Sequence, residues 1–208
     1  MIRKNTIDCK LILLKNSKIS GFDIYEQACS ETMLCDEVCP SCGKRGCCSP
    51  YGHYTRYLID FKDGNPVCQH LKITRVTCEC NHTHAILPDP IIPYLQYSLF
   101  YVLVVLAVYS CHLMTVDHLC NTYSINPSVL YRWLRVYDEH RREWQGLLNG
   151  TASDIRHSIY ELVHKDSYGS FAGFFIQKTG ISLLQTHANP ANCQRNLQFR
   201  FVPEAFNT

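Results

Sequence analysis

Cys39-Pro40-Ser41-Cys42-Gly43 is a Cys-x-x-Cys turn, and Cys78-Glu79-Cys80-Asn81-His82-Thr83-His84 places a second group of soft ligands farther along the chain. A Cys-x-x-Cys turn followed by glycine aims two thiolates at one point, and a second such turn completes a tetrahedron around Zn²⁺. The second knuckle is Cys-x-Cys, so the fourth ligand could be Cys80, His82 or His84; Cys80 is preferred. The expected set is therefore Cys39, Cys42, Cys78 and Cys80 around one structural zinc. Cys47 and Cys48 lie close enough to Cys42 to compete, and with Cys29, Cys35, Cys68 or His70 they could form a second site.

The same Cys-Pro-Ser-Cys turn also resembles the active-site turn of thiol redox enzymes, where a helix N-terminus lowers the pKa of the first thiol. Here it leads into Gly43-Lys44-Arg45-Gly46-Cys47-Cys48, a poor start for a helix. The chain holds 13 cysteines and opens Met1-Ile2-Arg3-Lys4-Asn5-Thr6 without the basic start and apolar stretch of a secretory signal. A cytoplasmic setting is expected, where disulfides are rare and clustered cysteines point to metal.

A second constellation spans 116–135. Val116, Leu119 and Cys120 recur at helical spacing, Ile125 sits at a turn, and Leu130, Trp133 and Leu134 recur on a second helix opened by Asn126-Pro127. This predicts a helix-turn-helix with Ser128, Val129, Tyr131, Arg132 and Arg135 facing outward from a helix whose first half could enter a major groove of double-stranded DNA. Arginine pairs bidentately with guanine, and Ser or Tyr reaches phosphates or base edges. Arg141 and Arg142 extend the basic face, while Asp138, Glu139 and Glu143 partly cancel it. With a formal net charge of only +2, binding would rely on specific contacts more than on bulk charge.

These residues need scaffolding. From 51 to 61 and again from 67 to 77 the chain is rich in strand formers, and Lys62-Asp63-Gly64-Asn65-Pro66 between them predicts a β-hairpin. Pro88, Pro90 and Pro93 then read as a linker. An apolar run from Leu99 to Tyr109 follows. A membrane span needs roughly 20 apolar residues; this run reaches that length only by including Gln96, Ser98, Ser110 and His112, and no Lys or Arg flanks it closely, so a helix buried in a soluble core is expected. A short helix over 115–121 and a second ending near Tyr137 complete the pair. Segments 153–165 and 171–180 are expected to be helical; 7–14 could be a strand and 22–34 a short helix.

The expected fold is thus α+β: a poorly defined segment at 1–36, a zinc-ribbon β module at 37–89, a helical helix-turn-helix domain at 90–150 and a helical extension at 151–208.

With both constellations in view, the chain resembles the DNA-binding N-terminal region of bacterial insertion-sequence transposases. More closely it resembles a family of short transposase-associated proteins carrying a domain of unknown function. The resemblance lies in Cys39-Pro40-Ser41-Cys42-Gly43, Gly52-His53-Tyr54-Thr55-Arg56, Arg75-Val76-Thr77-Cys78, Thr83-His84-Ala85-Ile86-Leu87-Pro88 and 125–133, and covers roughly 39–145. It implies a zinc ribbon, binding to the ends of a mobile element and a separately encoded transposase as partner, with no catalytic residue in this portion.

Neither a Gly-rich phosphate loop nor a nucleophile elbow is present, and beyond the helix pair only Asp138, Glu139, Glu143, Asp154, Glu161, Asp166 and Glu204 remain as carboxylates. The expected function is non-enzymatic: a zinc-stabilised, sequence-specific DNA-binding protein, accessory or regulatory to a transposable element. The alternatives are a zinc-ribbon protein-interaction module and a thiol redox protein.

Overall fold

Lys62 pairs with Asn65 and the chain reverses through Gly64, whose φ of 79° lies in the left-handed region that glycine enters without a Cβ penalty. This turn joins strands Cys48–Lys62 and Asn65–Cys78, each longer than the apolar runs alone suggest. The computed structural model describes residues 2–4, 22, 38–62, 64–88, 91–148, 159, 175–176 and 179–186. Among these the chain forms strands β1 (Ile2–Lys4), β2 (Cys48–Lys62), β3 (Asn65–Cys78) and β4 (Thr83–Pro88) and helices α1 (Leu99–Ser110), α2 (Val116–Thr122) and α3 (Pro127–Leu148).

The sheet runs β1-β4-β3-β2, with β2, β3 and β4 antiparallel and β1 parallel to β4. The fold is α+β. Tyr51 is the extra residue at a bulge between Pro50 and Gly52, and the two faces of the hairpin serve different cores on either side of it. Leu58, Leu71 and Ile73 pack with Phe22, Leu87 and Ile91 in one cluster. Near the strand ends, Cys39, Cys48, Val76, Cys78 and Ile86 form another. β4 occupies a stretch whose final proline suggests the start of a linker; Pro88 is tolerated because it is the last residue of the strand.

α1 begins at Ser98, whose hydroxyl caps the Tyr101 N–H at 3.0 Å. It is apolar all round and largely buried, with Tyr101, Val102, Leu103, Val105 and Leu106 fully covered. Its 12 residues span about 18 Å at about 1.5 Å per residue, against about 30 Å of bilayer hydrocarbon. No helix among the described residues is long and apolar enough to cross a membrane.

The helical core reaches back onto the hairpin. The Ile59 N–H donates to the Gln96 carbonyl at 2.7 Å and the Ser98 N–H to the Ile59 carbonyl at 3.0 Å, while Phe61 stacks on Tyr101 at 4.9 Å. Between β4 and α1 the chain therefore changes secondary structure within a continuous packing arrangement.

Thr115 caps α2, and Leu119 and Cys120 bury its inner side. The intervening turn passes through Ser124 at a φ of 49°, and Ile125 is buried with its N–H on the Cys120 carbonyl at 3.0 Å. α3 starts at Pro127 and continues well past Tyr137, to Leu148. Its buried stripe explains the extension: Leu130, Trp133, Tyr137 and His140 keep helical spacing. Asp138 further ties the backbone by pairing with Arg141 and Arg142 one turn on.

Ile159, Phe175, Leu183 and Leu184 are buried in the same cluster as α1, α2 and α3. Phe175, Ile176 and Thr179 are helical, and Gly180, with a φ of 75°, donates its N–H to the Ile176 carbonyl at 2.8 Å, ending that helix where expected. Phe22 is helical; the strand expected over 7–14, and the remaining parts of the helices expected over 22–34, 153–165 and 171–180, lie outside the described residues.

Candidate metal centre and reading helix

Two backbone turns build the cysteine site on one plan. In the first, the Cys39 N–H donates to the Lys44 carbonyl at 2.9 Å and the Gly43 N–H to the Cys39 carbonyl at 2.8 Å. In the second, the Cys78 N–H donates to the His82 carbonyl at 2.9 Å and the Asn81 N–H to the Cys78 carbonyl at 2.9 Å. Each turn passes through a left-handed residue directly after its second cysteine, Gly43 at φ 75° and Asn81 at φ 64°. Asparagine is among the few side chains that tolerate this region. The Cys-x-Cys knuckle is thus a Cys-x-x-Cys knuckle shortened by one residue, with Cys80 in the place of Cys42.

The sulfurs of Cys39, Cys42, Cys78 and Cys80 lie within 4.8 Å of one another. Cys39 and Cys80 are 3.7 Å apart, and Cys42 and Cys78 are 3.6 Å apart. A Zn–S bond of about 2.3 Å gives a tetrahedral S···S edge of about 3.8 Å, so both spacings fit opposite edges of a zinc tetrathiolate. The other candidates for the fourth position stand differently. The His84 Nε2 is 3.3 Å from the Cys39 sulfur, at hydrogen-bonding distance, and the exposed His82 holds its Nδ1 3.0 Å from the Cys80 carbonyl.

The electrostatics favour a dication. Burial raises the Cys39 pKa, but the N–H groups of Cys42 and Ser41 and the neighbouring thiols of Cys78 and Cys42 outweigh it and bring the group down to about 5. At Cys78 the Cys80 N–H lowers the pKa, yet burial and the thiols of Cys47 and Cys39 push it up to about 11. Cys80 receives help from the His82 N–H but is pushed up to about 12 by burial and by Cys78, Cys39 and Cys42. The Cys39 thiolate forms readily, and Cys78 and Cys80 resist adding negative charge beside it. A bound Zn²⁺ removes that repulsion, and its affinity accordingly depends on proton release. The cluster can hold a metal ion and is compatible with zinc.

Of the residues considered for a second site, Cys68 is exposed opposite Ile59, far along the hairpin from the knuckles, and His70 packs on the Tyr57 ring at 4.4 Å. Cys29 and Cys35 lie outside the described residues. Beside the centre, Ser41, Tyr54, Arg56, Tyr57, His82 and Tyr94 line a groove of about 750 Å³. Arg56, which donates to the Leu95 carbonyl, ties β2 to its far wall. Sequence patterning did not bring out this groove, because its wall at 93–96 joins β2 only in the folded chain.

On α3, Ser128, Tyr131, Arg132 and Arg135 are all exposed, opposite the buried Leu130, Trp133 and Tyr137, whereas Val129, expected to face outward, is half-buried against the helical core, where its apolar side chain gains contact. Arg132 and Arg135 also border a groove of about 580 Å³ whose other wall includes Ile181, Gln185 and Thr186. Arg141 is largely buried, with its Nε 3.1 Å from the Asp138 carboxylate, whereas Arg142 reaches the same carboxylate from an exposed position. The metal centre lies at the Cys48–Cys78 end of the hairpin, whereas α3 packs on α1 and α2, so the two are separate features of one chain.

No curated protein and no solved structure matches this chain. A family model does, over a stretch that opens on the first of the four clustered thiols and closes on the buried tryptophan of α3: residues 39–133 match a domain of unknown function, DUF6431.

Proposed function

We propose that this protein is a zinc-stabilised, sequence-specific DNA-binding protein. In this reading the knuckles and hairpin form a zinc ribbon, and α2, the turn at Ile125 and α3 form a helix-turn-helix. The observation that carries it is the exposed side of α3, where Ser128, Tyr131, Arg132 and Arg135 stand in one open row with no acidic residue before Asp138. Such a row, held rigid by Leu130 and Trp133 beneath it, suits base-edge and phosphate contacts in a major groove. The zinc supplies what the small sheet end lacks in apolar area, since structural zinc is worth about 10–16 kcal/mol of folding free energy.

The cellular role we infer is that of a cytoplasmic accessory or regulatory component of a transposable element. It acts with a separately encoded transposase and carries no catalysis of its own. Support for this comes from the resemblance over 39–145.

Selection from a random pool of duplex DNA tests the reading. The zinc-loaded protein is expected to enrich one sequence, with affinity falling as salt rises. Absence of any enriched sequence at low salt overturns it and leaves a protein-interaction role for the same surfaces.

A further inference from the structure

Cys47 and Cys48 stand beside the four-thiol centre without belonging to it. Cys48 is the register partner of Cys78 across β2 and β3, so both side chains leave the same face of the sheet. Cys47 is held close because its carbonyl accepts the Glu79 N–H at 3.2 Å, and its sulfur lies 3.1 Å from that of Cys78. The sulfurs of Cys47, Cys48 and Cys78 all lie within 4.8 Å of one another. Cys78 therefore belongs to two ligand sets at once.

We propose that the chain binds two zinc ions in one cluster bridged by the Cys78 thiolate. This rests on reading the four-thiol centre as a zinc site. Cys39, Cys42, Cys78 and Cys80 surround the first ion. Cys47, Cys48 and Cys78 hold the second, with water in its fourth position.

Charge favours the arrangement. A dication that displaces the protons of two thiols adds two positive charges and releases two protons, so the cluster's net charge is the same with one zinc or two. Geometry allows it with one adjustment: two thiolates on one zinc sit about 3.8 Å apart, so the half-buried Cys47 side chain must swing outward from Cys78 by a fraction of an ångström. Cys48 is buried in its cluster, but Cys47, just before β2, contributes only to the edge of that cluster and has no comparable role in packing.

The test is metal stoichiometry. Reduced protein is stripped, reloaded with zinc, freed of loose ions with a weak chelator and assayed by elemental analysis. Two zinc ions per chain are expected, falling to one in Cys47→Ala and in Cys48→Ala, with the four-thiol centre and the fold retained. Cys68→Ala and Cys111→Ala, which change exposed thiols away from the cluster, should leave two. Loading with ¹¹³Cd gives an independent readout on the wild-type chain: two thiolate-bound resonances split by each other through the shared sulfur.

One zinc per chain in folded wild-type protein overturns the second site and leaves the first intact. No zinc at all overturns both. Two ions that persist in Cys47→Ala and Cys48→Ala, or two ¹¹³Cd resonances without mutual splitting, overturn the bridged assignment.

Discussion

The Nε2 of buried His84 lies 3.3 Å from the sulfur of Cys39, joining β4 to the first knuckle across the cysteine centre. Burial holds His84 below its ordinary pKa against the opposing pull of Cys39. The neutral ring can then donate Nε2–H to the thiolate, the kind of contact that orients a ligand and tunes the metal without binding it. His84→Phe is expected to weaken zinc in the four-thiol centre about 10–100-fold while Co²⁺ in that centre keeps a four-sulfur spectrum. A shift of that spectrum from a three-sulfur, one-nitrogen pattern in the wild type to another in the variant would make His84 a ligand.

Cys80 and His82 separate just as cleanly. Because the shortened knuckle places Cys80 among the four sulfurs and leaves His82 exposed, Cys80→Ser should lose tight zinc and melt well below wild type. His82→Ala should keep both metal and stability. Elemental analysis with thermal denaturation reads the difference, and a zinc-free Cys80→Ser that melts like wild type would remove the metal from the folding argument.

Much of this arrangement was legible in the chain. The knuckles are readable because thiols at short spacing followed by Gly43 have few other uses, and the hairpin because Gly64 sits between two runs of strand formers. β4 was hidden: it is six residues long, ends on a proline and pairs with β3 only through 75–77 and 83–85. The end of α3 was hidden by the charges at 138–143, which mask a buried stripe continuing to His140. The cross-strand pairing of Cys48 with Cys78 and the packing of Phe175 and Leu184 on His140 of α3 are long-range contacts, which local spacing does not encode.

Phe175 shows the weight of that last contact. It is 1% exposed and packs on His140 with ring centroids 5.1 Å apart. Phe175→Ala should cost about 3–5 kcal/mol, the range for emptying a buried aromatic site. Chemical denaturation measures it, and a loss under 1 kcal/mol would detach this segment from the core.

His140 itself predicts a pH dependence. Its Nδ1 accepts the Leu184 N–H at 3.0 Å, and burial holds its pKa down at about 4, below the ordinary 6.5. Burial thus favours the neutral ring in the folded state, so below pH 6.5 the unfolded chain takes up a proton that the folded chain refuses. The stabilisation is complete above pH 6.5 and is lost as pH falls toward 4. His140→Asn keeps an acceptor for Leu184 but does not titrate there. Its stability should therefore fall less than wild type between those pH values, by up to one proton's worth of slope. Identical slopes would place the titration elsewhere.

The arginines of α3 allow the sharpest division. Arg132 is exposed in the row with Ser128 and Tyr131, so Arg132→Ala should cost about 1–3 kcal/mol on the selected sequence and relax preference at one position. Arg142, with a side chain 73% exposed, suits a phosphate; Arg142→Ala should weaken all sequences alike and lower the salt slope by about one. Arg141, with a side chain only 13% exposed and paired with Asp138, is committed to the helix itself. Arg141→Ala should lower thermal stability, by about 1–3 kcal/mol for a lost charged hydrogen bond, with little change in salt slope. Competitive selection at two salt concentrations, beside a melting curve for each variant, separates the three. If Arg132→Ala leaves the selected sequence unchanged, α3 does not read base edges; if Arg141→Ala lowers the salt slope as Arg142→Ala does, its pairing with Asp138 gives way to DNA.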